Sequence, residues 1–168
     1  KGYSLIYLLG ICMNNSLEIR FADKKDIPLI LEFIKELAKY EKVFENVITT
    51  EKILYETLFN KKYAEALILE IEKEPIGYAI FFNNFSSYTG KPGIHIEDLF
   101  IKESFRYKGY GKIVLSFISK LAIERGCDKV DWCVFDWNKD AINFYDSIGA
   151  KAMDDKTIFR LSGSHLQK

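Results

Sequence analysis

At 168 residues, with 48% hydrophobic and 29% charged residues, the chain has the size and composition of one globular domain. Such a length buries a core without a disulfide or metal staple, and whole-chain disorder is excluded. Lys and Arg number 24 against 24 Asp and Glu, so the chain has no basic surplus to exchange for the counterions of nucleic acid.

Cys12, Cys127 and Cys133 form no C-x-x-C pair, which points to reduced structural thiols in a cytoplasmic protein. Residues 1–15 read as a vector- or upstream-derived leader. The apolar run Tyr3 to Cys12 is too short to span a bilayer and is followed by no small-x-small cleavage site, and a normal-looking start stands at Met13. The single domain is expected over residues 16–168, with no membrane association.

Ser16 to Phe21 is a strand candidate with Leu17, Ile19 and Phe21 on one face. Asp23 and Asp26 are both acceptable N-caps, and Pro28 fits a first helical turn. Ile27, Ile30, Leu31, Ile34, Leu37 and Ala38 recur at helical spacing up to Tyr40. A loop to Thr50 precedes a second helix, Glu51 to Phe59. Two apolar runs, Ala66 to Ile71 and Ile76 to Phe82, flank a charged turn and predict a hairpin. Asn83 to Gly93 reads as a loop, Ile94 to Ile101 as a strand. A helix follows from Gly109 to Arg125, with Val114, Phe117, Ile118, Leu121 and Ala122 as its buried stripe and Gly126 as its stop. Val130 to Phe135 is a strand, Lys139 to Ile148 a short helix closed by Gly149, and Thr157 to Leu161 a final strand. The order β-α-α-β-β-β-α-β-α-β predicts one mixed α/β fold.

The most informative stretch is Arg106-Tyr107-Lys108-Gly109-Tyr110-Gly111-Lys112, between a strand and a helix. Glycines let a backbone approach a ligand, and the free N–H groups of a helix start suit phosphate, although a purely structural turn has the same composition. A Walker A loop fails because Ile113 follows Gly111-Lys112. A dinucleotide fingerprint fails because Val114 replaces its third small residue.

The pattern R-x-x-G-x-G resembles the coenzyme A pyrophosphate loop of the GNAT N-acetyltransferase superfamily. Three further segments agree: the strand His95-Ile96-Glu97-Asp98-Leu99-Phe100-Ile101, the run Trp137-Asn138 to Phe144-Tyr145 ending in Gly149-Ala150, and Ile34 to Glu41, which resembles the first helix of the diamine (spermidine/spermine) acetyltransferases. The resemblance implies the GNAT fold, a mainly antiparallel central sheet splayed between two parallel strands and flanked by helices. It also implies acetyl-CoA as cosubstrate, held by residues 106–112 with Asn138 and Ala141, and a homodimer.

Acetyl transfer to an amine requires removal of a proton from an ammonium whose ordinary pKa is about 10.4, donors for an oxyanion, and an acid for the departing thiolate. Glu97 is the candidate base. Strand alternation puts it on one face with His95 and puts Ile94, Ile96, Asp98 and Phe100 on the other, and a carboxylate on an apolar strand is costly unless paired or functional. A Glu satisfied by a neighbouring Lys or by water is the structural alternative. The resemblance implies that this carboxylate serves deprotonation, through water. Leu99, Phe100 and Ile101 would pair through their backbone with the pantetheine arm like an added strand, with an N–H near Leu99 as oxyanion donor. Tyr145, at helical spacing from Asn138 and Ala141, fits a core residue equally well by spacing; the resemblance implies that it protonates the thiolate.

The resemblance places Tyr40 and Glu41 at the amine, with Glu45 nearby, although a solvated helix end fits these residues equally; Trp132 and Trp137 read as packing residues, with a position of Trp132 bordering the amine as the alternative. The loop Asn83 to Tyr88 lacks the acidic residue and Trp of the polyamine enzymes, so a small primary amine (diamine, polyamine or thialysine-like) is expected without commitment to polyamines. Alternative readings are a peptide or protein N-acetyltransferase and a non-catalytic acyl-CoA-binding module. His95-Ile96-Glu97 mimics the H-x-E of zinc deaminases, but no P-C-x-x-C follows, and no metal is expected.

Overall fold

In the computed structural model, residues 17–155 and 157–167 are described. The expected leader and Ser16 lie outside them. Two compact units divide between Cys133 and Val134. The first unit carries β1 (Leu17–Phe21), α1 (Ile27–Tyr40), α2 (Glu51–Leu54), β2 (Glu65–Ile71), β3 (Glu74–Ser86), β4 (Lys91–Ile101), α3 (Tyr110–Glu124) and β5 (Val130–Trp132). The second carries α4 (Lys139–Ser147) and a terminal 3₁₀ turn, Gly163–Gln167.

The five strands form one sheet in the order β1-β2-β3-β4-β5. The first three pairings are antiparallel and β4–β5 is parallel, as the family resemblance implies. Asp23 and Asp26 cap the approach to α1 reciprocally, and Asp26, buried, also takes a bidentate ion pair from Arg20 at 2.7 and 2.9 Å. Arg20 reaches Glu70 with its remaining N–H groups, so one guanidinium ties β1, β2 and the start of α1 together.

Buried side chains of α1 (Ile27, Ile30, Phe33) and α2 (Leu54) pack on Ala66, Ile68, Tyr78, Ile80 and Phe100 of one sheet face. Phe33 stacks on Tyr78 at 5.7 Å and tilts against Phe100 at 5.9 Å. Each such fully buried ring contributes about 1.5–3 kcal/mol of transfer free energy. Phe33, absent from the helical stripe read in the sequence, is thus central to it. On α3 the buried line is Tyr110, Val114, Leu115, Ile118 and Ala122, with Phe117 and Leu121 half-buried at its margin.

Four sequence expectations are corrected. Asn83 to Gly93 is mostly ladder: Asn83, Asn84, Phe85 and Ser86 pair with Ile94, Gly93, Pro92 and Lys91, leaving a tight tip. Gly93 belongs in that ladder because a Cβ there would run into the side chains of Asn84 and Lys129. The second helix turns π-helical over Tyr55–Asn60. β5 stops at Trp132, and no strand follows it among the described residues. Phe159 and Leu161 stand two residues apart, as on one face of a strand, but they and Ile158 are exposed and join no ladder.

A fifth correction concerns β4. The β3–β4 register steps from Phe81↔Ile96 to Ile80↔Asp98, so Glu97 is the extra residue of a β-bulge. A bulge breaks the alternation that the sequence predicts. Asp98 pairs with Ile80, Phe100 with Tyr78 and His95 with Phe82, all partners on one face of β3. Asp98 and Phe100 therefore lie on the face of His95, opposite Ile94 and Ile96.

Candidate active site

The parallel ladder ends at Ile96↔Trp132, one residue before the bulge. Beyond it, Glu97 to Ile101 has no described strand on its β5 side. This open edge is what a pantetheine arm needs for strand-like pairing, and Leu99, Phe100 and Ile101 all lie on it. The Ile101 carbonyl accepts a hydrogen bond from Arg106 Nε at 2.8 Å.

Arg106 is folded back rather than extended. Its guanidinium lies 4.4 Å from the Tyr40 ring centroid and 5.7 Å from that of Phe100. The loop after it carries Tyr107 at a φ of 60° and Gly109 at 84°, the left-handed conformations that turn the chain into α3. No side chain caps that helix, and the first intrahelical bond runs from Ile113 N–H to the Gly109 carbonyl. The N–H groups of Tyr110, Gly111 and Lys112 thus lead the positive end of a 15-residue helix. A Cβ built on Gly109 meets nothing, so the approach is open. These residues, with the cations of Lys108 and Lys112, fit the diphosphate of coenzyme A.

At the negative end of α1, Tyr40 and Glu41 close the helix. Burial, and then the neighbouring charge of Asp98, push the Glu41 carboxyl up. Asp98 accepts a hydrogen bond from the Tyr78 hydroxyl at 2.8 Å. Burial raises its carboxyl, the Tyr78 bond opposes that rise, and the Glu97 charge adds to it. Burial and the Asp98 charge push the Tyr78 phenol up, so it remains a donor. Glu41, raised by burial and by Asp98, and Asp98, raised by burial and by Glu97, are carboxyls whose charge a nearby ammonium would relieve. Asp98 and Tyr78 are site residues that the sequence reading did not single out; the signal was the Glu-Asp pair, hidden by the assumed alternation. Glu97 itself is exposed, and Trp132 is half-buried on β5.

In the second unit, Asn138 is the N-cap of α4, its Oδ1 accepting from Ala141 N–H at 3.3 Å. Asn138, Ala141 and Tyr145 fall on one helix face, and Tyr145 tilts against Phe144 at 5.3 Å. Gly149, at a φ of 86°, donates to the Asp146 carbonyl and ends the helix.

A family model described as "Acetyltransferase (GNAT) family" matches residues 31–150. The chain belongs to the GNAT acetyltransferase family. It is 31% identical to the L-ornithine N5-acetyltransferase NATA1 of Arabidopsis thaliana, over 89% of this chain and 86% of that protein. It is 30% identical to the thialysine N-epsilon-acetyltransferase of Sus scrofa, over 91% and 96%. Among solved structures, an integron cassette protein from the mobile metagenome of V. cholerae superposes with a TM-score of 0.76 at 25% identity, covering 90% of this chain and 96% of that one. The GNAT chain is therefore an N-acetyltransferase whose family uses acetyl-CoA, and no helix among its described residues is long and apolar enough to cross a membrane.

Proposed function

We propose that the enzyme transfers the acetyl group of acetyl-CoA directly to a small primary amine, of the ornithine, thialysine or diamine class. The observation that carries this reading is the Glu41–Asp98 pair at the negative end of α1, on the sheet face next to the open β4 edge. A carboxylate pair favours the more persistent charge of an alkylammonium, with an ordinary pKa of about 10.4, over a peptide α-amino group at about 7.7–8.0, and the similar enzymes are named as ornithine and thialysine acetyltransferases.

In this reading the diphosphate rests on the start of α3, and the pantetheine pairs with Leu99 to Ile101. The ammonium rests between Glu41 and Asp98, with Tyr40 and Trp132 bordering it. Glu97, in the bulge, takes its proton, directly or through water. The neutral amine attacks the thioester carbonyl, an N–H near Leu99 receives the oxyanion, the C–S bond breaks and Tyr145 protonates the leaving sulfur. Asn138 and Ala141 contribute to coenzyme binding. A cytoplasmic homodimer completes the reading and rests on the family resemblance; sedimentation showing a monomer at micromolar concentration would remove the dimer. The deciding experiment is an amine screen followed by thiol release. Turnover of ornithine, thialysine or a diamine is the expected result, and acetylation of short peptides alone would overturn it.

A further inference from the structure

Asp131 is filled by its own neighbours. His95, in register with it on β4, brings Nδ1 to 2.5 Å from Oδ1. Asn84 Nδ2 donates to both oxygens at 3.1 and 3.2 Å, and Lys129 Nζ donates to Oδ2 at 2.5 Å. A carboxylate oxygen offers about two acceptor sites, so these residues leave none for a ligand. Burial would raise the Asp131 carboxyl, but the bonds from Lys129, His95 and Asn84 outweigh it and hold it below its ordinary value. Asn84 turns its amide to bring Nδ2 to the carboxylate, and Oδ1 is left buried without a partner among the described residues. The stem of Lys129 crosses Gly93, where a Cβ would collide with Lys129 Cγ and with Asn84 Oδ1.

With Asp131 saturated, the groups still able to bond a ligand are donors. The Lys129 ammonium spends one of its N–H groups on Asp131, and its side chain is 42% exposed. The ionised carboxylate keeps His95 Nδ1 protonated. His95 Nε2 has no hydrogen-bond partner among the described residues, and in the imidazolium it donates. Register gives the distance from the ammonium site. On one face of β3, Ile80, Phe82 and Asn84 pair with Asp98, His95 and Gly93. His95 therefore stands two β3 residues from Asp98, a rise of about 6.8 Å, and the stem of Lys129 crosses the next pair. An extended amine of the size of ornithine covers a separation of this order. With its ammonium at Glu41 and Asp98, its far end comes to His95 and Lys129.

We propose that His95 and Lys129 form a second acceptor subsite that binds a carboxylate, so that the preferred acceptor is an amino acid acetylated on the amine remote from its carboxylate. This rests on the proposed amine acetylation, with the ammonium at Glu41 and Asp98. Asp131 and Asn84 are positioning residues: Asp131 holds both donors in place and offsets their charge, and Asn84 holds Asp131. A carboxylate gains a charge-assisted bond from Lys129 and another from the imidazolium. The second ammonium of a diamine meets the like charge of Lys129 and finds no acceptor oxygen open on Asp131. The group that is read is the carboxylate, so an amino acid without an α-amino group satisfies the subsite as a diamino acid does.

Acceptors of matched length separate these features. Ornithine carries both α groups, δ-aminovalerate lacks the α-amino group, and putrescine lacks the carboxylate. By thiol release, kcat/KM for ornithine and for δ-aminovalerate should agree within a few fold and exceed that for putrescine by about tenfold or more. In Lys129→Met the ratio of the δ-aminovalerate value to the putrescine value should fall about tenfold, and Lys129→Arg should keep most of it. A folding defect lowers both values together, so an unchanged ratio in Lys129→Met overturns the subsite. A parent that turns over putrescine as well as the two carboxylates also overturns it and leaves the proposed function standing. A parent that acetylates no small amine removes the proposed function and the subsite together.

Discussion

The Arg106 guanidinium lies over the Tyr40 ring at 4.4 Å while its Nε donates to the Ile101 carbonyl, so the loop before α3 and the C-terminal end of α1 share one side-chain contact. Lys keeps the charge but not the planar stack. Arg106→Lys and Tyr40→Leu should each lower stability by about 1 kcal/mol, with a coupling of about 0.5–1 kcal/mol in a double-mutant cycle by urea unfolding. Strict additivity would show that the contact carries no energy.

The α3 turn separates stability from binding. Gly111→Asp replaces a poor helix former with an acid in the first helical turn, which favours the helix. The melting temperature without ligand should hold or rise, while its increase with acetyl-CoA disappears because the new charge faces the diphosphate. Retained coenzyme affinity would displace the cofactor from this loop.

Asp98 and Asp26 should titrate with opposite consequences. Burial raises the Asp98 carboxyl, so the folded state binds its proton more tightly than the unfolded state and stability falls as pH climbs from the ordinary carboxylate range through that raised value. Asp98→Asn, which can keep the Tyr78 hydrogen bond, should be more stable than the parent at pH 8 by on the order of 1 kcal/mol and nearly equal to it at pH 4. Its KM for the amine should rise. Urea midpoints at the two pH values, with amine kinetics alongside, decide this.

For Asp26 the largest cause is the hydrogen bond from Arg20, which outweighs burial and holds its carboxyl low. Its stabilisation is present above the ordinary carboxylate pKa and is lost as pH falls through the depressed value. Arg20→Ala should cost about 2 kcal/mol at pH 7, less than the 3–5 of a fully buried pair because the Arg20 side chain is 30% exposed. The loss should diminish in acid, as read from unfolding midpoints between pH 3 and 7.

Tyr145→Phe and Glu97→Gln should differ in kind. In the proposed mechanism the first removes the acid for the thiolate, and a loss on the order of 10²–10⁴ in turnover with coenzyme affinity retained is expected. The second weakens deprotonation, so its deficit should contract between pH 6.5 and 10, as more amine is already neutral. Parent-like turnover in both would remove these residues from the mechanism, and a pH-independent Glu97→Gln deficit would leave Glu97 a positioning role.

What could be read from the sequence was whatever depends on local pattern. The amphipathic spacing of α1, the stop at Gly126 and the glycines before α3 are set by neighbours a few residues away and stand as read, except that Phe33 joins the buried side of α1. Asp98 and Phe100 were assigned to the wrong face because a bulge is decided by the partner strand: nothing within His95 to Ile101 announces that Phe81 and Ile80 will skip Glu97. Thr157 to Leu161 failed for the related reason that alternation cannot supply a strand to pair with. The Asp131–His95 contact joins residues 36 positions apart and was visible only once β5 lay beside β4.

The parallel ladder between β4 and β5 is three residue pairs long. So few cross-strand bonds give β5 little resistance to local opening, whereas β3 and β4 are locked over most of their length. In amide hydrogen exchange the β5 protons should be replaced well before those of β3, at a free energy below that of global unfolding. On the proposed placement of coenzyme along the adjoining β4 edge, acetyl-CoA should slow exchange at Val130 to Trp132, a readout of ligand binding separate from any melting curve.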